Sequence, residues 1–386
     1  MKHTTICMLV VLMSIASTKG FAYDFSVKNS DGKIIYYNYS NGRYSVSPDD
    51  VYVTYSSSSY SGSINIPRYV TYNNKQWKVV AIGEQAFKDC KRLTSVHFYD
   101  TVTSIDNEAF AGCSELKSVY IPNSVRQIGY KAFSYSRLGG VRIPSSVVSI
   151  GDSAFDHCVS MASVTIENGV KEIGDDAFSH CVSLRSVEIP NSVTSIRSGA
   201  FWRCEKLTSV TIGTSVTDIG ISAFCGCSLT SVTIPNSVTI IRMDAFAGSA
   251  LTSVTIGSGV TSIESGAFDN NNLATVISKI ETPFAIPAES STSPVFCDPV
   301  FSDNSFMNAN LIVPKGTIDK YKTTEGWKNF VWITEDIPSG VEGVKTDEDN
   351  TEVSRYTLDG KKLSEPQEGI NIIKMSDGTT KKVIVK

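Results

Sequence analysis

Cysteine is the residue type in this sequence best suited to chemistry, because a thiol can form a disulfide, bind a metal ion or act as a nucleophile. The chain has 386 residues and nine cysteines. Six of these stand three residues after a phenylalanine, at one position of a repeated sequence: Cys90, Cys113, Cys158, Cys181, Cys204 and Cys227. Serine takes that position at Ser136 and Ser249, and parallel side chains in a ladder are badly placed for bridging. The pattern therefore favours buried free thiols that pack as small apolar side chains.

Two His-Cys pairs stand one repeat apart, His157-Cys158 and His180-Cys181, with Asp156 and Asp176 nearby. Histidine, cysteine and aspartate are the ligands that zinc prefers. However, when the cysteine points into the repeat, the adjacent histidine points outwards, so the two members of a pair do not reach the same ion. We therefore interpret the histidines as part of a surface column, and we expect no metal and no cofactor.

Other catalytic arrangements are not evident. Serines are abundant, but no Gly-x-Ser-x-Gly elbow is present, and the carboxylates are spread along the chain without a facing pair. The net charge of −4 argues against a nucleic-acid partner. The sequence therefore predicts a protein that is not an enzyme.

An Ala-Phe pair recurs with a period of 22 or 23 residues and marks the unit from which about half of the chain is built. Its phenylalanines are Phe87, Phe110, Phe133, Phe155, Phe178, Phe201, Phe224, Phe246 and Phe268. Isoleucine, valine and leucine recur at matching positions, with Met161 in place of one leucine. A fixed period of this length is typical of a solenoid, in which each coil buries its apolar side chains against its neighbours. The sequence predicts nine coils over residues 81–276.

Each coil divides into three parts. The pattern L-x-x-V-x-I alternates apolar and polar residues and predicts a strand, which a following proline often ends. The run S-V-T-S-I predicts a second, shorter extended segment. In G-x-x-A-F-x-x-C the apolar residues have nearly helical spacing, which predicts one or two helical turns.

These repeats resemble the BspA-like leucine-rich repeats. The resemblance covers about half of the chain and is carried by nine copies of the pattern. It implies a right-handed repeat solenoid with a parallel β-sheet on its concave side and short helical turns. It also implies adhesion, because BspA-like proteins are linked to attachment to host matrix proteins and to other bacteria.

The segment before the repeats has two parts. Residues 1–22 are predicted to be a signal peptide, because the apolar run Ile6–Ala16 is too short to span a bilayer and small residues precede a cleavage position near Ala22. Residues 23–80 are rich in tyrosine, valine, isoleucine and serine, and they predict a β-rich N-terminal cap. A solenoid needs such a cap because its first coil otherwise exposes core side chains and an open strand edge.

The segment after the repeats has three predicted parts. Residues 277–334 form a C-terminal cap, with a final strand and turn in Phe306–Gly316 and a short amphipathic helix in Ile318–Phe330. Residues 335–350 form an acidic linker. Residues 351–386 form a small β domain with two Asp-Gly hairpin turns, at 359–360 and 377–378. This tail resembles the C-terminal sorting domains of type IX (Por) secretion cargo, which implies passage across an outer membrane and surface attachment.

The residues that flank the valine of each coil are expected to face solvent. Twelve of these eighteen residues are serine or threonine, which suits a regular parallel sheet and needs no function. Binding hot spots favour tyrosine and arginine. The candidate binding surface is therefore the set of exceptions in the N-terminal half: His97, Tyr120, Arg142 and Glu188.

These observations predict an exported, non-catalytic protein, secreted or held at the cell surface, that binds proteins or mediates adhesion. Its expected partner is a protein, from a host extracellular matrix or from another cell surface. The alternative is a secreted glycan-binding or nutrient-capture protein, but such a protein needs stacked aromatic residues on the concave sheet, and there only Tyr120 qualifies. A secreted hydrolase is a third possibility that lacks a catalytic constellation.

Overall fold

The computed structural model describes residues 23–55, 59–287, 298–336, 352–357, 361–375 and 380–385. The predicted signal peptide and most of the predicted acidic linker lie outside these residues. The chain divides into two compact units, one ending at Asp336 and one formed by the residues after it. Among the described residues, no helix is both long enough and apolar enough to cross a membrane.

The first six strands precede the repeats: β1 (Phe25–Lys28), β2 (Ile34–Tyr39), β3 (Asp50–Val53), β4 (Ser61–Asn65), β5 (Tyr69–Tyr72) and β6 (Lys75–Ile82). Strands β1, β2 and β3 pair antiparallel, and β3 then pairs parallel with β6. Aromatic rings fill this block, with Phe25 stacked on Tyr72 at 4.3 Å and Tyr39 packed against Trp77 at 4.7 Å. The block therefore continues into the solenoid through direct strand pairing.

Each coil of the repeat region contributes a valine strand followed by a two-residue isoleucine strand. The series ends with one more valine strand. In chain order they are β7 (Arg92–His97), β8 (Ser104–Ile105), β9 (Ser118–Val119), β10 (Gln127–Ile128), β11 (Gly140–Ile143), β12 (Ser149–Ile150), β13 (Ser163–Ile166), β14 (Glu172–Ile173), β15 (Ser186–Glu188), β16 (Ser195–Ile196), β17 (Ser209–Thr211), β18 (Asp218–Ile219), β19 (Ser231–Thr233), β20 (Ile240–Ile241), β21 (Ser253–Ile256), β22 (Ser262–Ile263) and β23 (Thr275–Ser278).

Two parallel ladders run along the solenoid. The isoleucine strands form one continuous ladder from β6 to β22, in which equivalent residues such as Ile128 and Ile150 are partners. The valine strands, which the sequence analysis took as the main sheet, pair in shorter groups: β4–β7–β9, β11–β13, β15–β17 and a group that begins β19–β21–β23. Backbone hydrogen bonds still join these groups, as from Gly139 N–H to Lys117 O at 3.1 Å. The continuous sheet is therefore the isoleucine ladder.

The Ala-Phe segment forms consecutive turns, where one or two helical turns were predicted. Ala86 N–H donates within its own turn to Gly83 O at 3.1 Å, whereas Phe87 N–H donates to Ala109 O of the next coil at 2.8 Å. A helix would keep both bonds within one segment. The residues Gln85 and Asp89 have φ of 58° and 57°, which a right-handed helix does not allow. Every second backbone N–H of the segment therefore donates a hydrogen bond to the next coil.

The phenylalanines form one stacked column through the core. Phe155, Phe178 and Phe201 are fully buried, with centroids 5.2 and 5.3 Å apart and interplanar angles of 3° and 7°. The column gains a ring at each end, since Tyr60 lies 5.0 Å from Phe87 and Phe301 lies 5.5 Å from Phe268. The buried solenoid therefore extends one coil beyond the nine predicted coils in each direction.

The six cysteines at the repeat position are buried, Cys225 is partly buried, and all seven cysteines in the described residues are free thiols, as predicted. The role of the repeat-position cysteines differs from simple apolar packing, because the sulfurs of Cys113, Cys158, Cys181, Cys204 and Cys227 each donate to the phenylalanine carbonyl of the preceding coil. Cys181 Sγ lies 3.3 Å from Phe155 O, and Ser136 Oγ makes the same bond to Phe110 O at 3.1 Å.

The C-terminal end of the first unit contains α1 (Asp303–Asn308), β24 (Asn310–Val313), α2 (Ile318–Thr323), a 3₁₀ helix (Trp327–Asn329) and β25 (Trp332–Glu335). Strand β24 pairs parallel with β23, and β25 pairs with β24, so the predicted final strand is followed by another. The predicted helix over Ile318–Phe330 is split, because Gly326 has a φ of 82° that a right-handed helix does not allow. Tyr321 and Trp327 are both fully buried.

The second unit is a four-stranded antiparallel sheet with the order β27–β26–β28–β29. Its strands are β26 (Glu352–Tyr356), β27 (Lys362–Leu363), β28 (Gly369–Met375) and β29 (Thr380–Val385). Tyr356 pairs with Lys362, and Ile372 pairs with Lys382, as the two predicted hairpins require. The predicted turn residues lie outside the described ranges, and the sorting role of this unit stays a prediction.

Candidate functional site

The four predicted surface residues occupy the same position in different coils of the valine ladder. His97 is on β7, Tyr120 directly follows β9, Arg142 is on β11 and Glu188 is on β15, and all four are exposed. Tyr120 keeps 55% of its surface accessible. Since neighbouring strands lie about 4.8 Å apart, four coil steps from His97 to Glu188 span roughly 20 Å. We call this set the valine-strand row.

Two members of the valine-strand row have ordered polar or aromatic partners. Arg142 Nε donates to Glu167 Oε1 at 2.7 Å, and its Nη1 donates to Asn123 Oδ1 at 3.1 Å. The His97 ring meets Tyr99 edge-on, with centroids 4.5 Å apart. These contacts hold the side chains in defined positions, which lowers the entropy lost when a partner binds.

A second surface feature was not predicted from the sequence. Rings from successive coils stack outside the core: Tyr135 lies 4.5 Å from His157, His157 lies 4.1 Å from His180, and His180 lies 4.7 Å from Trp202. The first two pairs are nearly parallel, at 12° and 19°, and the third is edge-on at 82°. We call these four residues the outer ring column.

Three members of the outer ring column, Tyr135, His157 and His180, hold one backbone position that repeats, whereas Trp202 directly follows Phe201. The residue two after each core phenylalanine has positive φ in every coil: Asp89, Gly112, Tyr135, His157, His180, Arg203, Gly226, Gly248 and Asn270. Glycine, asparagine and aspartate in the other coils are the usual residues for this conformation. Comparing this position between coils would therefore have singled out Tyr135, His157 and His180, because aromatic residues are unusual there.

The arrangement of the rings bears on the alternative of glycan binding. A sugar platform needs an open aromatic face. In the outer ring column His157 is covered on both sides by the rings of Tyr135 and His180, so the two histidines present mainly ring edges, whereas Tyr135 keeps 55% of its surface exposed. Ring edges carry hydrogen-bond donors and the imidazole nitrogens, which suit polar ligands better than stacked sugars.

Two open clefts flank Tyr135. The larger has a volume of about 450 Å³ and is lined by residues that include Lys88, Asp89, Gly112 and Lys131. The smaller, of about 390 Å³, is lined by Tyr135, Arg137 and His157, among others. Gly112 is in close contact with Asp89 in the larger cleft, because a Cβ there would lie 2.5 Å from Asp89 Oδ1. Both clefts combine charged groups with an aromatic wall.

A polar cluster lies beside the rings of His157 and His180. His157 Nδ1 is 2.8 Å from Asp156 Oδ1, and His180 Nδ1 is 3.9 Å from the same oxygen. Burial and the neighbouring His157 lower the pKa of His180. Burial, with the nearby carboxylates of Asp156 and Asp175, raises the pKa of Asp176. Cys158 and Cys181 point into the core, as the sequence predicted, and lie apart from this cluster.

The same cluster contains a serine, but its geometry is not that of a nucleophile with its base. Ser179 Oγ lies 2.9 Å from His180 Nδ1, which is also the nitrogen that faces Asp156. In a Ser-His-Asp triad the serine and the aspartate contact opposite nitrogens of the histidine. Ser179 is also only 2% exposed, so a substrate does not reach it.

The repeat length, the two parallel ladders and the buried phenylalanine column define a leucine-rich repeat solenoid. The chain belongs to the BspA-type leucine-rich repeat family, whose model, described as "BspA type Leucine rich repeat region", matches in six copies over residues 80–208 and 171–284. Together these segments cover more than half of the 386 residues. The family resemblance inferred from the repeats is therefore confirmed.

Solved structures include similar solenoids. A leucine-rich repeat protein from Bacteroides ovatus is 24% identical, with a TM-score of 0.53 over 78% of this chain and 81% of that one, which supports the fold. A leucine rich repeat protein from T. pallidum is 30% identical over 47% of this chain and 82% of that one, with a TM-score of 0.42. A leucine rich cell surface protein from Faecalibacterium prausnitzii is 23% identical over 78% and 98%, with a TM-score of 0.33. No curated protein matches the chain significantly.

Proposed function

We propose that this protein is exported, is secreted or held at the cell surface, and uses its solenoid to bind proteins and mediate adhesion without catalysis. Family membership supports a role in protein interaction. The predicted signal peptide over residues 1–22 and the sorting-like tail over residues 351–386 are the basis for export and for attachment to an outer-membrane surface. Repeat solenoids present extended binding surfaces of this kind.

The observation that carries the proposal is the valine-strand row. Its members His97, Tyr120, Arg142 and Glu188 are exposed at one position of the repeat, where the later coils carry mostly threonine. Tyrosine and arginine are enriched among the residues that contribute most of the binding energy at protein interfaces. A fitting partner surface has an apolar pocket for the Tyr120 ring, with a hydrogen-bond partner for its hydroxyl, and an acidic group that meets Arg142.

The test is to measure binding of the chain to a panel of extracellular matrix proteins and glycans by biolayer interferometry. We expect binding to a protein, and we expect Tyr120→Ala and Arg142→Ala each to weaken it by about tenfold or more, which is the loss of roughly 1.4 kcal/mol or more typical of a hot spot. Thr233→Ala is the matched control, because Thr233 is exposed at the same position on β19.

The outcomes separate the hypotheses. Binding that both variants leave unchanged places the interface elsewhere on the solenoid. Binding to glycans with no protein partner favours the alternative of a glycan-binding or nutrient-capture protein. No binding to any member of the panel contradicts adhesion to these surfaces.

A further inference from the structure

We propose that Asp156, His157 and His180 form a binding site for a divalent transition-metal ion, with Zn²⁺ as the best match. The site lies on the outer ring column and not on the valine-strand row, so a test of metal binding does not depend on whether the proposed function is correct. It also differs from a His-Cys site, because the sulfur of Cys158 donates inwards to Phe133 O at 3.2 Å and does not face the histidines.

The repeat brings the two imidazoles together. His157 and His180 hold equivalent positions of consecutive coils, both with a φ of 55°. The core rings Phe155 and Phe178 stack beneath them at 5.2 Å and fix the register of the two coils. The imidazole centroids are consequently 4.1 Å apart, and Asp156 supplies an oxygen next to both.

The distances suit a small metal ion. One possible ligand atom from each of the three residues lies within 4.8 Å of the other two. In a tetrahedral zinc site with bonds of about 2.0–2.1 Å, ligand atoms are roughly 3.3 Å apart, so the three residues are close enough for side-chain rotation to bring their ligand atoms to one ion. The side chains of Asp156, His157 and His180 are 14%, 31% and 23% exposed, which gives partial shielding from water together with access.

The donor set selects the class of ion. Two imidazole nitrogens and one carboxylate oxygen are ligands typical of zinc, whereas Ca²⁺ and Mg²⁺ prefer oxygen ligands alone. Three protein ligands leave the fourth position of a tetrahedral ion to water or to a group on a bound molecule. The site is therefore open and resembles an exchangeable surface site more than a closed structural one.

Metal binding must change the ring geometry. The two imidazole planes are only 19° apart and their centroids are 4.1 Å apart, so the nitrogen lone pairs lie in two separate, nearly parallel planes and do not both point at one ion between the rings. Bonds to one tetrahedral ion meet at about 109°, so at least one ring must turn about its Cβ–Cγ bond. The stacking contact between His157 and His180 is then lost, which gives a signal that metal bound elsewhere would not produce.

The experiment is calorimetric titration of Zn²⁺ into the untagged chain, with His157→Asn, His180→Asn and Asp156→Asn as variants. Asparagine is a suitable replacement for the histidines because Asn270 already holds the equivalent position with a φ of 52°. We expect one Zn²⁺ per chain in the wild type and an affinity at least about tenfold lower in each variant. His97→Asn is the matched control and should bind Zn²⁺ like the wild type.

A second readout uses nuclear magnetic resonance of the imidazole protons. Zn²⁺ should shift the resonances of His157 and His180 together and leave that of His97 in place. The proposal is overturned if the wild type binds no Zn²⁺ at about 1 mM, or if His157→Asn and His180→Asn keep the wild-type affinity. It is also overturned if Zn²⁺ binds without moving either ring resonance.

Discussion

Cysteine at the inner position of each coil serves as a hydrogen-bond donor as well as a buried group. Thiol, hydroxyl and amide replace one another there, and each donates to the phenylalanine carbonyl of the preceding coil: Cys113, Ser136, Cys158, Cys181, Cys204, Cys227, Ser249 and Asn271. The sequence predicted free buried thiols correctly, and the serine substitutions were the signal for a donor. The acceptor was not predictable, because it belongs to a residue 25 or 26 positions away.

The donor role predicts how Cys181 tolerates substitution. Cys181→Ala removes the bond to Phe155 O and leaves a small void, so we expect unfolding free energy to fall by about 1–2 kcal/mol. Cys181→Ser keeps a donor and should cost under about 1 kcal/mol. Urea unfolding followed by circular dichroism measures both variants. Equal stability of the alanine and serine variants would show that the bond contributes nothing.

At the scale of the element, the strands were predictable and the turn segment was not. Alternation of apolar residues identified the valine strands directly. The Ala-Phe segment has helical spacing of its apolar residues, but its amides alternate between its own turn and the next coil. Such bonds between coils do not show in the spacing. The recurrent glycine and asparagine at the positive-φ position, as in Gly112 and Asn270, were the evidence against a helix.

The phenylalanine column predicts a large effect of one truncation. Phe178 is fully buried between Phe155 and Phe201, so Phe178→Ala should lower the unfolding free energy by about 3–5 kcal/mol through lost burial and a cavity. Phe178→Leu fills most of the space and should cost clearly less. Thermal unfolding by scanning calorimetry compares them. A Phe178→Ala melting temperature equal to that of the wild type contradicts a core role for the column.

At the scale of the whole molecule, the fold class follows from the period, because coils that stack at a fixed step can bury one continuous core. The valine-strand row was also predictable, since strand alternation fixes which side chains leave the core. The outer ring column was not, because it depends on ring contacts between side chains in different coils. Those side chains vary from coil to coil, as Gly112, Tyr135 and Arg203 show.

Burial of the solenoid core predicts the order in which thiols react. Burial raises the pKa of Cys204 to about 12, so its thiol stays protonated and unreactive near neutral pH. Cys225 is only partly buried. With iodoacetamide and mass spectrometry, we expect Cys225 to be modified well before Cys204 and the other inner cysteines, which should react only on unfolding. Modification of Cys204 as fast as Cys225 would contradict this order, and absence of reaction after unfolding would indicate disulfides.

The ends of the phenylalanine column differ from its interior. At one end the ring of Tyr60 is tilted by 51° to that of Phe87, and at the other end Phe301 has edge-to-face contacts with Phe306 and Phe330. In the interior, each phenylalanine ring stacks in the same way on the rings of both neighbouring coils. A gene encoding this chain can therefore gain or lose one 22- or 23-residue unit in frame without disturbing either end. The number of coils is thus a quantity that recombination between repeats can alter and selection can adjust, while the terminal segments stay unchanged.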